Sequence, residues 1–240
     1  MNFPQIEPLG EIGAVIRLGE EIDPVVHSLV MAFAELLAKE PFPGLVECVP
    51  AYTTVTVFYD PVQVKLAEPG ASPWQAVCSW LKEAAGRIEL AEKATSGKVV
   101  EIPVCYGGEF GPDLEFVATY HGLRPEEVIA LHTGTGYRVY MLGFVPGFPY
   151  LGKLPARLVT PRRSSPRPQV PVGSVGIAGW QTGIYSFSTP GGWQIIGRTP
   201  LRLFRPEERP PVLLQPGDTA YFRAITPEEF AELTREKYES

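Results

Sequence analysis

The sequence predicts an α+β chain, with a small N-terminal α+β domain followed by a β-barrel or sandwich. Three observations carry that expectation. Between residues 12 and 88, short β-branched runs alternate with two amphipathic helical patterns. From Tyr137 to Phe204, glycine, proline, aromatics and arginine punctuate short β-branched runs, and no helical period survives beyond a turn. Between these regions, Thr95-Ser96-Gly97 ends a helical pattern just before a new strand begins. That joint divides the chain into a domain over 1–96 and a barrel domain over 97–240.

Taken in order, Ile12–Leu18 alternates as a strand does. Asp23-Pro24 then opens a helix, because aspartate accepts from the free amides of the first turn and proline is preset for the first helical position. Val26, Leu29, Val30, Phe33 and Leu37 share one apolar face, and His27 beside it reads as a packed or surface histidine. Pro41 to Gly44 ends this helix, and strands follow around Leu45–Val49 and Thr53–Tyr59. Ser72-Pro73-Trp74-Gln75 is a capping box opening a second helix, with Trp74, Val77, Leu81 and Ile88 on one side. The charges from Lys82 to Lys93 read as its solvated face. The strand at Lys98–Cys105 is expected to close this first sheet and leads into Gly107-Gly108. A helix from about Pro112 to Tyr120 stops at Gly122, the usual C-cap glycine. Arg124–Leu131 is a second short helix with Glu126 and Glu127 in its first turn, where the dipole favours acids. It delivers His132-Thr133 to the turn Gly134-Thr135-Gly136. Beyond the glycine-rich stretch, Thr219–Arg223 is a strand and Thr226 caps a final helix.

Composition excludes several classes. The formal charge is −6, from 21 basic and 27 acidic side chains, and no Lys/Arg block is longer than Arg162-Arg163. Phosphate backbones and anionic bilayers select for clustered positive charge, so neither a nucleic-acid nor a membrane partner is expected. Cys48, Cys78 and Cys105 are odd in number, far apart and without C-x-x-C spacing. They read as reduced, buried thiols of a cytosolic protein, with no disulfide frame or zinc site. The start shows no basic n-region or apolar h-region, and no apolar run approaches the roughly 18 residues of a membrane span. The chain is expected to be soluble and cytoplasmic.

Within the glycine-rich stretch three segments stand out: Gly143–Tyr150 (GFVPGFPY), Ala178–Tyr185 (AGWQTGIY) and Pro190–Pro200 (PGGWQIIGRTP). Each sets aromatic rings and hydrogen-bonding groups beside backbone left bare by glycine, which suits close approach to a ligand. Barrel corners and core filling account for the same residues equally well. Gly147 to Lys153 has phosphate-loop spacing, but Leu154 stands where a hydroxyl should hold Mg²⁺, and Pro149 removes an amide from the cradle. Acids are nearly absent between Tyr137 and Phe204, so no metal site is expected there. The region is cationic instead, with Arg162, Arg163, Arg167, Arg198 and Arg202. Arginine's fixed fork suits carboxylates and phosphates. Arg163 and Arg202 read as solvated, and Arg198 as a ligand-binding group.

These motifs also carry a resemblance. LGFVPGFPYLG, TPRR, PVGSVGIAGWQTGIY and TPGGWQIIGRTPLRLF, with PFPGLVECVPAYTTVTVFYDP and EIPVCYGGEFGPDLEFVA upstream, resemble the KipI family. Its members are known as the B subunit of bacterial 5-oxoprolinase (PxpB) or, in older usage, allophanate hydrolase subunit 1. The likeness spans nearly the whole chain. It implies that the barrel is cyclophilin-like and related to part of the carboxyltransferase portion of biotin-dependent urea carboxylases. It also implies ATP-dependent ring opening of 5-oxo-L-proline to L-glutamate, with the family's A and C subunits as partners. ATP, with Mg²⁺, is then a co-substrate of the complex, and no tightly bound cofactor is expected. The chain alone is expected to be inactive. A KipI-like inhibitor of a sensor histidine kinase is the alternative reading, and a prolyl isomerase is a further one that rests on fold alone.

On this reading His132, Gln181, Gln194 and Arg198 are expected to form one pocket. His132 would move protons, since its ordinary pKa lies near 6.5. The two glutamines would orient a lactam or phosphate oxygen, and Arg198 would supply charge. Helix capping by His132 and strand hydrogen bonds from the glutamines are the competing account. Phe148, Tyr150, Arg162, Tyr185 and Trp193 complete the expected substrate or nucleotide site. Trp180 and Tyr185 are also read as material for an interface with the C subunit or for the core.

Overall fold

A computed structural model describes residues 4–88 and 97–239. Two compact units divide the chain, Met1–Ser96 and Gly97–Ser240. Thr95 and Ser96 of the expected joint, and the charged run from Glu89 to Lys93, lie outside the described residues.

The first unit contains β1 (Gln5–Leu9), β2 (Gly13–Arg17), α1 (Pro24–Lys39), β3 (Leu45–Pro50), β4 (Thr54–Tyr59), α2 (Pro61–Ala67) and α3 (Pro73–Gly86). Its strands form an antiparallel sheet in the order β1-β2-β4-β3. Asp23 starts α1 by accepting from the amides of Val25 and Val26, at 2.7 and 3.4 Å. Asp60-Pro61 repeats that device on α2, where the carboxylate accepts from Val62 and Gln63. Ser72 and Gln75 form the expected reciprocal capping box on α3. Alternation on β4 turns Val55, Val57 and Tyr59 inward against Val30, Phe33 and Leu37 of α1 and Val77 and Leu81 of α3. His27 is fully buried on the inner side of α1.

Two elements of this unit, β1 and α2, are absent from the expected order, and one expected strand belongs elsewhere. The strand over residues 99–106 does not close the first sheet. It runs parallel to a strand some 120 residues later, from Val99↔Thr219 to Cys105↔Ile225. No local pattern reveals that pairing.

The second unit contains β5 (Val99–Tyr106), α4 (Leu114–His121), α5 (Pro125–Thr133), β6 (Gly136–Leu142), β7 (Pro149–Gly152), β8 (Arg167–Val170), β9 (Ser174–Ala178), β10 (Gln181–Ile184), β11 (Thr189–Gly191), β12 (Gln194–Arg198), β13 (Thr219–Ile225) and α6 (Pro227–Glu239). Seven strands close a barrel in the order β10-β7-β6-β13-β5-β12-β9, with β9 pairing back to β10. Closure leaves no open edge on the barrel wall. β8 and β11 form a separate two-stranded ribbon. Ile102, Val104, Tyr137, Leu151, Ile177, Ile196 and Phe222 fill the core, joined by Val117 of α4 and Val128 of α5. The expectation of a small α+β domain followed by a closed barrel therefore holds.

α4 ends at Gly122 in the left-handed conformation, as the sequence predicts (φ 63°). Cys48, Cys78 and Cys105 are unpaired thiols; only Cys105 is fully buried, and the other two are partly so. No described helix is long and apolar enough to cross a membrane.

Candidate functional site

The glycine-rich segments converge on an aromatic cavity of about 320 Å³ in the barrel unit. Phe148 immediately precedes β7, Tyr150 lies on it, Tyr185 follows β10 and Trp193 precedes β12. Arg162, from the loop before β8, reaches the same cavity. The Phe148 ring meets Tyr185 and Trp193 edge-on, with centroids 5.3 and 5.6 Å apart. These are favourable aromatic geometries, so the lining is held stiffly. Phe144 stands over Phe148 and Tyr185 in the same manner, and as a residue it is 59% exposed. It does so at φ 65°, a conformation that costs a non-glycine residue and tends to occur at functional positions. Glycine is required at 191, because a Cβ there would run into the Tyr185 phenol.

Tyr185 has its pKa raised chiefly by burial, opposed by a hydrogen bond from the Trp193 amide and by the Arg162 charge. Tyr150 is likewise raised by burial, with Arg162 pulling the other way. Both phenols therefore stay protonated at neutral pH and offer O–H donors. Arg162 brings positive charge to both.

A second cavity of about 380 Å³ shares Arg162 and is lined by Asp113, Phe116, Arg163 and Gln194. Side chains alternate along a strand, so the neighbours Trp193 and Gln194 serve different cavities. Asp113 anchors this side. It occupies the N-cap position of α4 but makes no side-chain cap. Its Oδ1 accepts from Arg163 Nη1 at 3.1 Å and Arg167 Nη2 at 2.8 Å. Its Oδ2 accepts from Arg167 Nη1 at 2.8 Å and the Ile195 amide at 2.6 Å. The Arg167 contact is bidentate, the stronger geometry for this pair. One buried carboxylate thus ties the loop carrying Arg162 to β12.

Gln194 is almost fully buried, and its Nε2 donates to the Pro161 carbonyl at 3.0 Å. A carbonyl only accepts, so the Gln194 amide is oriented and its Oε1 is left without a partner. Arg163 Nε is also buried and unpartnered. A buried acceptor and a buried donor without partners therefore belong to residues of one cavity.

His132 is elsewhere. The helix that the sequence ends at Leu131 continues to Thr133, so His132 sits in its last turn and is fully buried. Its ring stacks on Phe222 at 4.4 Å. Nδ1 lies 2.7 Å from the Tyr106 hydroxyl and Nε2 lies 3.0 Å from Thr182 Oγ1. Thr182 gives its single proton to the Gly176 carbonyl, so it accepts from His132 Nε2–H. Nδ1 then accepts from Tyr106. Burial pushes the imidazole pKa down to about 3, and it is neutral throughout the physiological range. The expected proton-moving role is corrected on this ground: His132 is an internal strut with both nitrogens occupied.

The four residues expected in one pocket are not brought together. Arg198 lines neither cavity; it lies between Cys105 of β5 and Ser174 of β9, with its guanidinium 5.8 Å from the Phe110 ring centroid. Gln181 opens β10 opposite Gly152 and Ala178 and also lines neither cavity. Gln194 alone of the four does. By contrast, Phe148, Tyr150, Arg162, Tyr185 and Trp193 converge as a group. Trp180 is half-exposed, but Tyr185 is buried and cannot present an outer surface. Arg163, expected to be solvated, is half-committed to Asp113. Asp113 and Phe116 do not stand out in the sequence, and Phe144 belongs to the Gly143–Tyr150 segment that does, without being expected in the site. An aspartate at a helix start reads as an ordinary cap, and nothing near it in sequence marks its arginine partners.

The chain is similar to known proteins over most of its length. The carboxyltransferase domain family, subdomain C and D, matches residues 4–214. The chain is 53% identical over 228 residues to the 5-oxoprolinase B subunit of Bacillus subtilis (strain 168), covering 94% of this chain and 95% of that one. The crystal structure of TTHA0988 matches with a TM-score of 0.75 at 39% identity, over 89% of this chain and 40% of that one. This chain therefore spans about two fifths of that protein. Kluyveromyces lactis urea carboxylase matches with a TM-score of 0.79 at 19% identity, over 97% of this chain and 23% of that one, a likeness of fold alone. The chain belongs to the carboxyltransferase-domain family that includes the 5-oxoprolinase B subunits.

Proposed function

We propose that this chain is the B subunit of an ATP-dependent 5-oxoprolinase and binds 5-oxo-L-proline in the aromatic cavity, acting with A and C subunits. The observation that carries the reading is Arg162 beside a stiff aromatic pocket. The two ring methylenes of the lactam pack on Trp193 and Phe148, its carboxylate pairs with Arg162, and the Tyr150 and Tyr185 hydroxyls offer donors to oxygen. A lactam is a poor electrophile, and transfer of the terminal phosphoryl group of ATP to its oxygen, with release of ADP, activates the ring carbon. Water adds there, the C–N bond breaks with the nitrogen taking a proton, and a second water releases phosphate to leave glutamate. Positively charged and O–H donors suit such a transfer better than a covalent nucleophile does.

The test is 5-oxoproline-dependent ATP hydrolysis by the chain assembled with its A and C subunits. Removing a charged hydrogen-bonding contact costs about 1.5–3 kcal/mol, so Arg162→Gln should lower kcat/KM for 5-oxo-L-proline by roughly 10- to 150-fold. The same variant should leave stability nearly unchanged, since Arg162 is exposed at the cavity rim. Wild-type kinetics in the variant, or full turnover by the chain without partners, would refute the reading.

A further inference from the structure

The mouth of the aromatic cavity is built differently from its floor. Phe148, Tyr185 and Trp193 are buried and form the floor, whereas Phe144, Arg162, Pro166 and Pro190 are exposed at the rim. The backbone holds Phe144 at that rim. The Val145 amide donates to the Gly143 carbonyl at 2.7 Å around Phe144 at φ 65°, the rare and strained form of the γ-turn. Gly147 of the same loop takes φ 75° without that cost. Phe144 is the one non-glycine residue with positive φ among the described residues. Three ties maintain the loop: Gly143 N–H to the Phe148 carbonyl at 3.1 Å, the Phe148 amide to the Val145 carbonyl at 3.1 Å, and the Ser186 hydroxyl to the Pro146 carbonyl at 2.7 Å. A strained residue persists only where its surroundings over-determine it, and such residues gather at ligand sites. Its ring meets Phe148 at 5.6 Å and Tyr185 at 6.5 Å, the second near the outer limit for such pairs. Packing alone does not explain a strained aromatic residue that stays mostly in water.

We propose that Phe144 is the roof of the aromatic cavity and sets the size of lactam ring that the cavity accepts. The inference rests on the 5-oxoproline reading and deepens it. The ring methylenes of the lactam lie between Phe148 and Trp193 on one side and Phe144 on the other, with the carboxylate at Arg162 on the same rim. The γ-turn and its ties fix the backbone, so rotation of the Phe144 side chain is enough to bring the ring down. A volume of about 320 Å³ is ample for so small a lactam, and lowering the roof takes apolar surface of both partners out of water. A six-membered ring holds the roof off that closed position. Hydrophobic pockets discriminate a single methylene by about 10- to 200-fold.

The test uses the chain assembled with its A and C subunits, as wild type, Phe144→Gly and Phe144→Tyr. Glycine removes the ring and relieves the turn, so it does not threaten folding, whereas tyrosine keeps the ring. For each, kcat and KM for 5-oxo-L-proline are measured together with the inhibition constant of its six-membered-ring homologue. Phe144→Gly should raise KM about five- to tenfold and leave kcat within about twofold, as loss of binding common to ground and transition states requires. The ratio of the homologue's inhibition constant to KM should fall about tenfold in the same variant, a change in selectivity that a merely structural role would not produce. Phe144→Tyr should keep both quantities within about twofold of wild type. The inference falls if KM in Phe144→Gly stays within about twofold of wild type, or if KM rises and the ratio does not move. It falls equally if Phe144→Gly no longer co-purifies with the partner subunits, which would make Phe144 an interface residue. A wild-type assembly without 5-oxoproline turnover would overturn the functional reading and the roof with it. Normal wild-type turnover with unmoved Phe144→Gly kinetics would overturn the roof alone.

Discussion

Two buried polar clusters of the barrel unit differ in charge and in access to open volume. At His132 both ring nitrogens have a partner: Tyr106 donates to Nδ1, Nε2–H donates to Thr182, and Thr182 donates to Gly176. The cluster is neutral and enclosed by Phe222 and Tyr137. Around Asp113, charge is concentrated, two arginines converge on one carboxylate, and Asp113, Arg163 and Gln194 line an open cavity. A neutral, enclosed network fixes a structure, whereas a charged one that lines an open cavity can also act on what enters it. The type of residue misleads here. The histidine, usually the first catalytic candidate, is architecture, and the aspartate at a helix start organises the site.

Asp113→Ala attacks the comparison with the largest expected effect. It strands the buried Ile195 amide and leaves Arg163 and Arg167 without their counter-charge. Removing one member of a buried pair typically costs 3–5 kcal/mol, and partial exposure of the arginines moderates this to about 3 kcal/mol. Urea denaturation should show that loss. Asp113→Asn should retain more stability yet still weaken 5-oxoproline turnover in the assembled enzyme, since the loop bearing Arg162 loses its anchor. Unfolding free energy within about 0.5 kcal/mol of wild type for Asp113→Ala would mean that the cluster holds nothing in place.

The closed cluster makes a pH prediction of intermediate size. In the unfolded chain His132 titrates near 6.5, whereas in the fold burial lowers it to about 3. The unfolded state therefore binds the proton first. The stability that neutral His132 contributes is complete above pH 6.5 and is lost as pH falls toward 3. Between pH 7 and pH 5 the loss amounts to about 2 kcal/mol. His121, also lowered by burial, adds a slope of the same sign. Denaturation curves at the two pH values should show the drop, and His132→Gln should flatten it whatever its effect at pH 7. An unchanged slope in that variant would place the titration on another group.

How much of this is legible in the sequence follows from the range of each interaction. Asp23, Ser72 and Gly122 act on groups within a few residues, and the helices they bound stand where the sequence predicts them. The same Asp-Pro signature at Asp60-Pro61 is easily missed because the helix it opens has only seven residues. β1 is a short, proline-containing edge strand with little alternation of burial to reveal it. The convergence of Phe148, Tyr150, Tyr185 and Trp193 is foreshadowed because bare glycine and aromatics adjoin in sequence. The parallel pairing of β5 with β13 spans about half the chain, and the contacts of Asp113 with Arg163 and Arg167 span 50 and 54 residues. No periodic pattern encodes those distances. For His132 the difference is local: α5 runs on to Thr133, and that short extension separates a loop from the core.

Arg198 offers the smallest and sharpest test, because it belongs to neither cluster. Its Nε is buried without a hydrogen bond, and its guanidinium lies 5.8 Å from the Phe110 ring, which in turn packs on Phe230 of α6 at 4.7 Å. A cation over a ring at a partly exposed position contributes about 0.5–1 kcal/mol. Replacement by methionine keeps most of the stem's packing, removes the charge and relieves the unpaired donor, so the two electrostatic effects oppose each other. Arg198→Met should therefore shift unfolding by no more than about 1 kcal/mol. Turnover of the assembled enzyme should remain close to wild type, because Arg198 lines neither cavity. A loss of turnover beyond about tenfold at unchanged stability would correspond to more than about 1.4 kcal/mol of transition-state stabilisation. That result would return Arg198 to the reaction.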